Sequence, residues 1–474
     1  MYLDINWKTD KLKNLILFTR DGEWGKDQPF YDYIKMGIIR GTDFNSLRNG
    51  YAKSVPQRFI KKTVAEQKKL QADDILLETA GGTKDQPTGR SLLVTKSIVS
   101  KSEIPLTCAS FSRFLRMDKL RIYPSYLFWY FQYLYFEGIM EQHQIQHTGV
   151  ARFQFTKFSE NIDIPLPPLP EQRAIAEILS SIDEKIELNN QMNRTLEATA
   201  QAIFKQWFVD FEFPLGYAQG KPITQASATL SQRSEAKKES SNTQRSLSVA
   251  EMSGYKSSGG KMIDSELGPI PEGWRVGKLS DIAYNKTNGI KPESMYGDMH
   301  YIGLEHMPRK SIALSEWTTA EEVQSNKYLF EVGDILFGKL RPYFHKVVVA
   351  PIVGVCSTDI LVINSIEPQW HGYISCIISS ELFVDYANSS STGTKMPRTN
   401  WEYMSKYPII LPSLNIIVEF NKIMNDFLNR IRNNIFESQT LSTLRDTLLP
   451  KLMSGELRVP EEIVKSYEEP VSEA

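Results

Sequence analysis

The sequence predicts an α+β chain built on a repeated plan. Two globular modules of mixed α/β character accompany two long helices, expected to pair antiparallel as a coiled coil in a pseudo-twofold arrangement. Three observations carry this. A heptad-like pattern occurs twice, with corresponding positions 245 residues apart. Each copy follows a region of short β-type runs broken by Gly and polar turns. A serine-rich stretch separates the halves.

The first module covers residues 1–164. IKMGIIRGTDF, DDILLET and RSLLVTKSIV read as short strands. The aromatic run Tyr126 to Phe136 spans eleven residues, against the ~20 needed to cross a bilayer. It aligns with Tyr373 to Phe383 and reads as a core element.

The first long helix occupies 165–214. Pro165, Pro167, Pro168 and Pro170 stiffen its entry, and Glu171 suits the positive N-terminal end. Ile175, Leu179, Ile182, Ile186, Leu196, Ala200, Ile203 and Trp207 form one stripe, interrupted by Asn189 and Asn193. The expected end is near Val209, giving roughly 60 Å at ~1.5 Å per residue. Residues 215–265 read as a flexible linker: from Thr224 to Ser258, ten of 35 residues are Ser and Tyr255 is the only aromatic.

The second module covers 266–407, with HYIGLEHM paralleling GIIRGTDF and VGDILFGKLRP paralleling ADDILLETAGG. The second long helix occupies 408–460. Its stripe runs through Phe420, Met424, Phe427, Ile431, Leu441, Leu448 and Leu452, with Asn434 and Ser438 at the polar break. Pro450 is expected to interrupt it after Leu449. Asn189 and Asn434, at equivalent seam positions, are expected to pin register. An acidic tail, 461–474, ends the chain.

Composition bounds the chemistry. A net charge of −1 over 474 residues gives no global field for nucleic acid. Cys108, Cys356 and Cys376 are too few for a disulfide framework and read as core thiols. No apolar signal core opens the chain, so a cytoplasmic location without membrane association is expected. GGTK at Gly81 to Lys84 lacks the rest of a phosphate loop and reads as a flexible loop. His143 and His147 could share a helix face, but no third metal ligand accompanies them. Glu235-Ala236-Lys237 lies in the linker, where no rigid site can form. Asp73-Asp74 reads as a turn or strand start. No catalytic constellation emerges.

Binding is better supported. Residues 51–121 hold 14 Lys/Arg against 7 Asp/Glu, a local +7 interleaved with aromatics. The second module, 271–400, holds 12 against 14, its basic character confined to FGKLRPYFHK and GTKMPRTN. These segments stand at the repeat positions of LETAGG and TGVARFQF. Different side chains on one scaffold suggest two ligands, or two halves of one.

PLPPLPEQRAIAEILSSIDEKIELN, QAIFKQWFVDF, GKMIDSELGPIPEGW and LRDTLLPKLMSGELRV together resemble the specificity subunit of type I restriction–modification systems, over nearly the whole chain. The Ser-rich stretch looks like an insertion, and the second helix lacks the EQ of the first, having Leu414-Asn415 there. The resemblance implies that each module is a target recognition domain, related to the DNA-reading domain of Taq-type adenine methyltransferases. Each would read one half of a split, asymmetric sequence in double-stranded DNA. The paired helices would set the gap and dock two modification subunits, which carry the S-adenosylmethionine chemistry. Two restriction subunits would add ATP- and Mg-dependent translocation and cleavage. This chain itself would hold no cofactor or metal and catalyse nothing. The rival readings are a coiled-coil scaffold that ignores DNA, or the specificity half of a fused methyltransferase or nuclease.

Within that frame the candidate DNA-binding residues are Arg40, Thr42, Arg90, Arg113, Arg152 and Gln154 in the first module, and Lys339, Arg341, Lys395 and Arg398 in the second. Arg and Gln suit bidentate base contacts, and Lys suits phosphate. Partner docking is expected at exposed apolar residues of the helix ends: Phe204, Trp207, Phe208, Leu449, Leu452 and Leu457.

Overall fold

The two long helices begin 245 residues apart, at Leu169 and Leu414, and run to Phe208 and Ser454. In this computed structural model, which describes residues 7–48, 55–82, 86–147, 150–218, 254–389 and 396–468, the chain divides into two units: 1–187 with 440–474, and 188–439. Both divisions fall inside a long helix. Each unit therefore holds one α+β module and one half of each helix. No helix among the described residues is long and apolar enough to cross a membrane.

In the first unit the strands are β1 (Lys8–Lys11), β2 (Ile16–Asp21), β3 (Tyr33–Ile39), β4 (Gln57–Lys61), β5 (Ile75–Glu78), β6 (Ala80–Gly82), β7 (Ser91–Leu93), β8 (Leu106–Cys108), β9 (Ser112–Met117), β10 (Gln144–His147), β11 (Val150–Phe153) and β12 (Asp163–Leu166). They form sheets ordered β2-β9-β5-β7, β4-β3-β8 and β10-β11-β6, while β1 pairs with β12. All four residues of β5 are buried, which explains its unbroken apolar run. The aromatic run is a helix, Pro124–Phe136, opened by Pro at its first turn. It is apolar on every side because it is buried on most of them. Its Tyr126, Leu127 and Phe131 share one core with Ala174, Ile175 and Leu179 of the first long helix and Leu449, Leu452 and Met453 of the second.

The second unit repeats the circuit with β13 (Met262–Ile263), β14 (Ile270–Pro271), β15 (Arg275–Lys278), β16 (Ala283–Lys286), β17 (Gly289–Ile290), β18 (His300–Ile302), β19 (Thr318–Thr319), β20 (Lys327–Phe330), β21 (Ile335–Gly338), β22 (Val347–Val349), β23 (Gly354–Cys356), β24 (Ile360–Ser365) and β25 (Pro408–Leu411). The order β16-β24-β21-β22 matches β2-β9-β5-β7. The parallel pair β18 and β23 matches β3 and β8, so Cys356 opposite Ile302 stands where Cys108 stands opposite Ile39. Burial pushes both thiols up to about 12, so they are core groups rather than nucleophiles. Buried Asp74 and Asp334 open β5 and β21, each accepting from the backbone N–H three residues earlier at 2.8 Å. Arg116 neutralises the first, Lys286 the second. The Tyr126 hydroxyl donates to the Pro165 carbonyl, as Tyr373 does to that of Ile410, 245 residues on.

Within each unit the helix halves run antiparallel. Arg445 donates to Asp183 at 2.7 Å and Arg458 to Glu171 at 2.7 and 2.9 Å. In the second unit Asn189 donates to Glu437 at 2.8 Å and to Ser438 at 3.3 Å, and Asn434 to Asn193 at 2.8 Å. Since 434 and 438 are 189 and 193 plus 245, the polar break pairs with its own repeat. Buried Asn189 and Asn434, whose partners stand opposite them in this alignment, penalise any slip of the seam.

Five expectations need correction. The second long helix does not stop at Leu449: it continues through Pro450 to Ser454. Loss of one N–H near a helix end is tolerated because Leu449, Leu452 and Met453 are buried in the core. The EQ pair of the first helix corresponds not to Leu414-Asn415 but to Ile416 and Ile417, both buried. Gln172 accepts from the Tyr123 N–H and donates to the Pro167 carbonyl, closing the helix entry. The carboxylate of Glu171 grips Arg458 of the SGELRV segment, so the two most distinctive motifs are partners. Phe213, at the repeat position of Arg458, is buried in the same core as Ile416. One unit thus uses an ion pair where the other uses apolar packing. The flexible linker, 215–265, is also too long. Residues 219–253 lie outside the described residues, but Tyr255 stacks on Phe213 at 4.7 Å and Phe213 on Trp274 at 5.1 Å. Finally, Gly81 and Gly82 lie in β6 rather than in a loop, while Thr83 and Lys84 lie outside the described residues, and His143 and His147 do not share a helix: His143 ends a 3₁₀ turn and His147 ends β10.

Candidate nucleic-acid interface

In the first module three of the six candidates, Arg90, Arg113 and Arg152, contact or face β5 and β6. Glu78, the last residue of β5, accepts from Arg90 at 2.9 and 2.6 Å, with only 5% and 16% of the two side chains exposed. Hydrogen bonding to Glu78 raises the Arg90 pKa above its ordinary value against the opposing cost of burial. Gly41 lies on this pair; a Cβ there would run into the Glu78 carboxylate and force the ion pair to shift. The turn Gly41–Asp43 exposes Thr42, while Arg40 donates to Asp43 at 2.9 and 2.7 Å. Arg113, opposite Leu77 of β5, donates to Asp21 at 2.9 Å and lies over Phe155 at 4.7 Å. Arg152 faces Ala80 across β11 and β6; it is exposed and has no hydrogen-bond or ionic partner among the described residues. Gln154 is half-buried at the start of the helix Phe155–Asn161, held by its N–H to the His143 carbonyl at 2.8 Å.

The local +7 is therefore misleading. Asp10, Asp21, Glu23 and Asp27, all earlier in the chain than the basic stretch, neutralise Arg121, Arg113, Lys68 and Arg58. Arg90, Arg116 and Lys119 are paired within it. Arg90 is a structural cation, because releasing it to a base would strand the buried Glu78 carboxylate, whereas Arg113 pairs with the exposed Asp21. Exposed charge without such a partner among the described residues includes Lys61, Lys62, Lys69, Lys96 and Lys101. Lysine of this kind suits phosphate.

In the second module the two basic segments meet. Leu340 pairs with Arg398 as Ala80 pairs with Arg152. The Arg341 N–H donates to the Pro397 carbonyl at 2.8 Å, and Thr399 N–H to the Lys339 carbonyl at 3.1 Å. Lys339 is half-buried; Arg398 is exposed and donates to Asp359 at 3.1 Å. Lys395 lies outside the described residues. Arg341 takes a left-handed φ of +52°, at the repeat position where the first module has Gly81 at +115°. The 3₁₀ turn Pro342–Phe344 follows, then His345, again left-handed.

The expected docking surface is corrected. Trp207, Phe208, Leu449 and Leu452 are buried and Phe204 is packed against the same core as Trp207, so all five stabilise their own units. Leu457 is exposed. Heptad stripes cannot distinguish a seam satisfied within the chain from one awaiting a partner. Sequence reading also missed Arg309, whose guanidinium lies over the Phe344 ring at 4.1 Å; its distance along the chain from Arg341 left no signal.

The model for the type I restriction modification DNA specificity domain matches residues 4–198 and again 271–443. Among curated proteins the chain is similar to the type I restriction enzyme HindI specificity subunit of Haemophilus influenzae, 28% identical over 324 residues, spanning 63% of this chain and 69% of that one. It is also similar to the MjaIX specificity subunit of Methanocaldococcus jannaschii, 25% identical over 390 residues and 79% of each chain. Among solved structures it resembles the S subunit of a type I restriction–modification system from M. genitalium, with a TM-score of 0.52 and 14% identity, covering 95% of this chain and 97% of that one. At that identity the likeness concerns the fold.

Proposed function

We propose, for a chain that belongs to the type I restriction–modification DNA specificity family, a division of labour in which its two modules each read one half of a bipartite DNA target. The chain is a DNA sequence-specificity subunit. The observation that carries the two-half reading is the repeat itself. Equivalent backbone pairings, Ala80 with Arg152 and Leu340 with Arg398, present different side chains on one scaffold. Two sites of common architecture and unlike chemistry fit two unlike half-sequences.

In this reading Thr42, Arg152 and Gln154 face bases or phosphates in one half, and Lys339, Arg341 and Arg398 in the other. Arginine takes guanine O6 and N7 with two parallel hydrogen bonds, glutamine takes adenine, and lysine holds phosphate. Arg398, itself exposed, would exchange Asp359 for DNA. The helices shared by both units fix the gap between half-sites, at ~3.4 Å per base pair. Modification subunits supply S-adenosylmethionine chemistry, and restriction subunits supply ATP- and Mg-dependent translocation and cleavage.

The test is to express the chain with its modification subunit and map methylated adenines across a genome. A single motif of two short halves around a fixed gap is the expected result. A stable complex that methylates nothing, or a continuous motif, refutes the bipartite reading.

A further inference from the structure

Among the described residues six non-glycine residues have left-handed φ, and three of them, Lys310, Arg341 and His345, converge at one place. Such conformations cost stability and persist only where surrounding contacts hold them. Here the contacts are visible. The Lys310 N–H donates to the His345 carbonyl at 2.9 Å, and the His345 N–H to that of Pro342 at 2.8 Å. The His345 ring meets the Ser379 carbonyl at 2.9 Å. Lys310 pairs with Glu381 at 2.8 Å. The first module makes the equivalent bend with Gly81, where no Cβ resists it. The second module accepts a strained arginine instead.

The strain positions one aromatic ring and the groups around it. Arg309 lies over Phe344 at 4.1 Å and Arg341 over the same ring at 5.9 Å. Tyr343 meets Phe344 edge-on at 4.8 Å while remaining 53% exposed. Arg309 is exposed and has no hydrogen-bond or ionic partner among the described residues. Its guanidinium is therefore oriented by a ring rather than neutralised by a carboxylate, the reverse of Arg90. Lys346 beside it donates to the Leu304 carbonyl and adds positive charge. A planar fork, held over a ring and without an acidic partner among the described residues, beside an exposed tyrosine, suits a base edge better than a single phosphate oxygen.

We propose that Arg309 is a specificity-determining residue of the second module, taking O6 and N7 of one guanine in the major groove, with Phe344 fixing the guanidinium plane and Tyr343 packing on the neighbouring base. This rests on the DNA-specificity reading above and assigns a base to a residue that reading did not include.

The experiment uses the full chain in its modification complex. Duplexes carrying the mapped target, and each single base-pair replacement in both halves, are assayed for binding and adenine methylation. In the wild type, replacing the guanine read by Arg309 is expected to weaken binding about tenfold to a hundredfold. Arg309→Ala should erase that discrimination at one position of the second half and leave the first half unchanged. That unchanged half also reports an intact complex. Arg309→Lys, which keeps charge but loses the fork, should resemble Arg309→Ala in specificity. Uniform weakening across all duplexes would mean a phosphate contact and overturn the proposal, as would an unaltered motif. A wild-type complex without sequence preference would instead bring down the DNA-specificity reading itself.

Discussion

Replacing Asp183 by asparagine removes one negative charge from between two arginines. Arg48 donates to one carboxylate oxygen at 2.6 Å and Arg445 to the other at 2.7 Å, with only 19% of the Asp183 side chain exposed. Arg48 comes from the module and Arg445 from the second long helix, so Asp183 ties both to the first helix within one unit. Breaking a fully buried pair costs about 3–5 kcal/mol. Here partial solvation reduces the cost, and each arginine keeps another partner: Arg48 has Gln132 and the Trp129 ring, Arg445 has Asp446. A loss of about 2 kcal/mol follows, lowering the melting temperature of a unit this size by about 4–8 °C. Asp183→Ala, Arg445→Ala and the double variant complete a cycle. Arg445→Ala imports the residue of the first repeat, since Ala200 occupies the equivalent place. The double variant should cost less than the sum of the singles, by about 1 kcal/mol. Strict additivity, or an unchanged melt for Asp183→Asn, would refute the shared-carboxylate reasoning.

Arg90→Ala should cost about 2–4 kcal/mol of stability by stranding buried Glu78, whereas Arg152→Ala should leave the melt unchanged and weaken DNA binding; calorimetry and a binding titration separate the two, and equal melts would return Arg90 to the DNA surface. Glu197 accepts from the Ser311 hydroxyl at 2.8 Å and the Ile312 N–H at 3.2 Å, and burial outweighs these bonds to raise its carboxyl above the ordinary range. The folded state then binds more protons than the unfolded one just above the usual carboxylate pKa, so stability falls as pH rises through that window. Glu197→Gln should remove this downward slope from the stability–pH curve, and a persisting slope assigns it elsewhere. Deleting 224–250 should leave melting and DNA recognition intact, while Tyr255→Ala should cost about 1–3 kcal/mol through the lost stack on Phe213. A deletion as damaging as the tyrosine change would show that the serine-rich stretch is more than a connection.

Much of the plan was legible in the sequence because it is periodic or repeated. Heptad spacing depends only on helical geometry, so the long helices, their common start and the Asn189/Asn434 break could be read without knowing what they touch. The parallel segments GIIRGTDF and HYIGLEHM, or LETAGG and FGKLRP, do occupy matching places. The EQ and SGELRV motifs stood out by pattern alone, although nothing in that pattern revealed that Glu171 and Arg458 bind each other.

What the sequence by itself determined is therefore the α+β repeat and the family. Only the tertiary structure decided which side chains are available. Charge balance is settled in space: Asp21 lies far along the chain from Arg113 yet pairs with it at 2.8 Å, and a window count cannot see that. Burial is settled the same way, turning Trp207, Phe208, Leu449 and Leu452 from a docking surface into core. Arg309 reaches Phe344 only because the fold closes that distance. Periodicity records what a residue is beside in its own helix or strand, whereas ionic pairing and packing depend on neighbours brought together by folding.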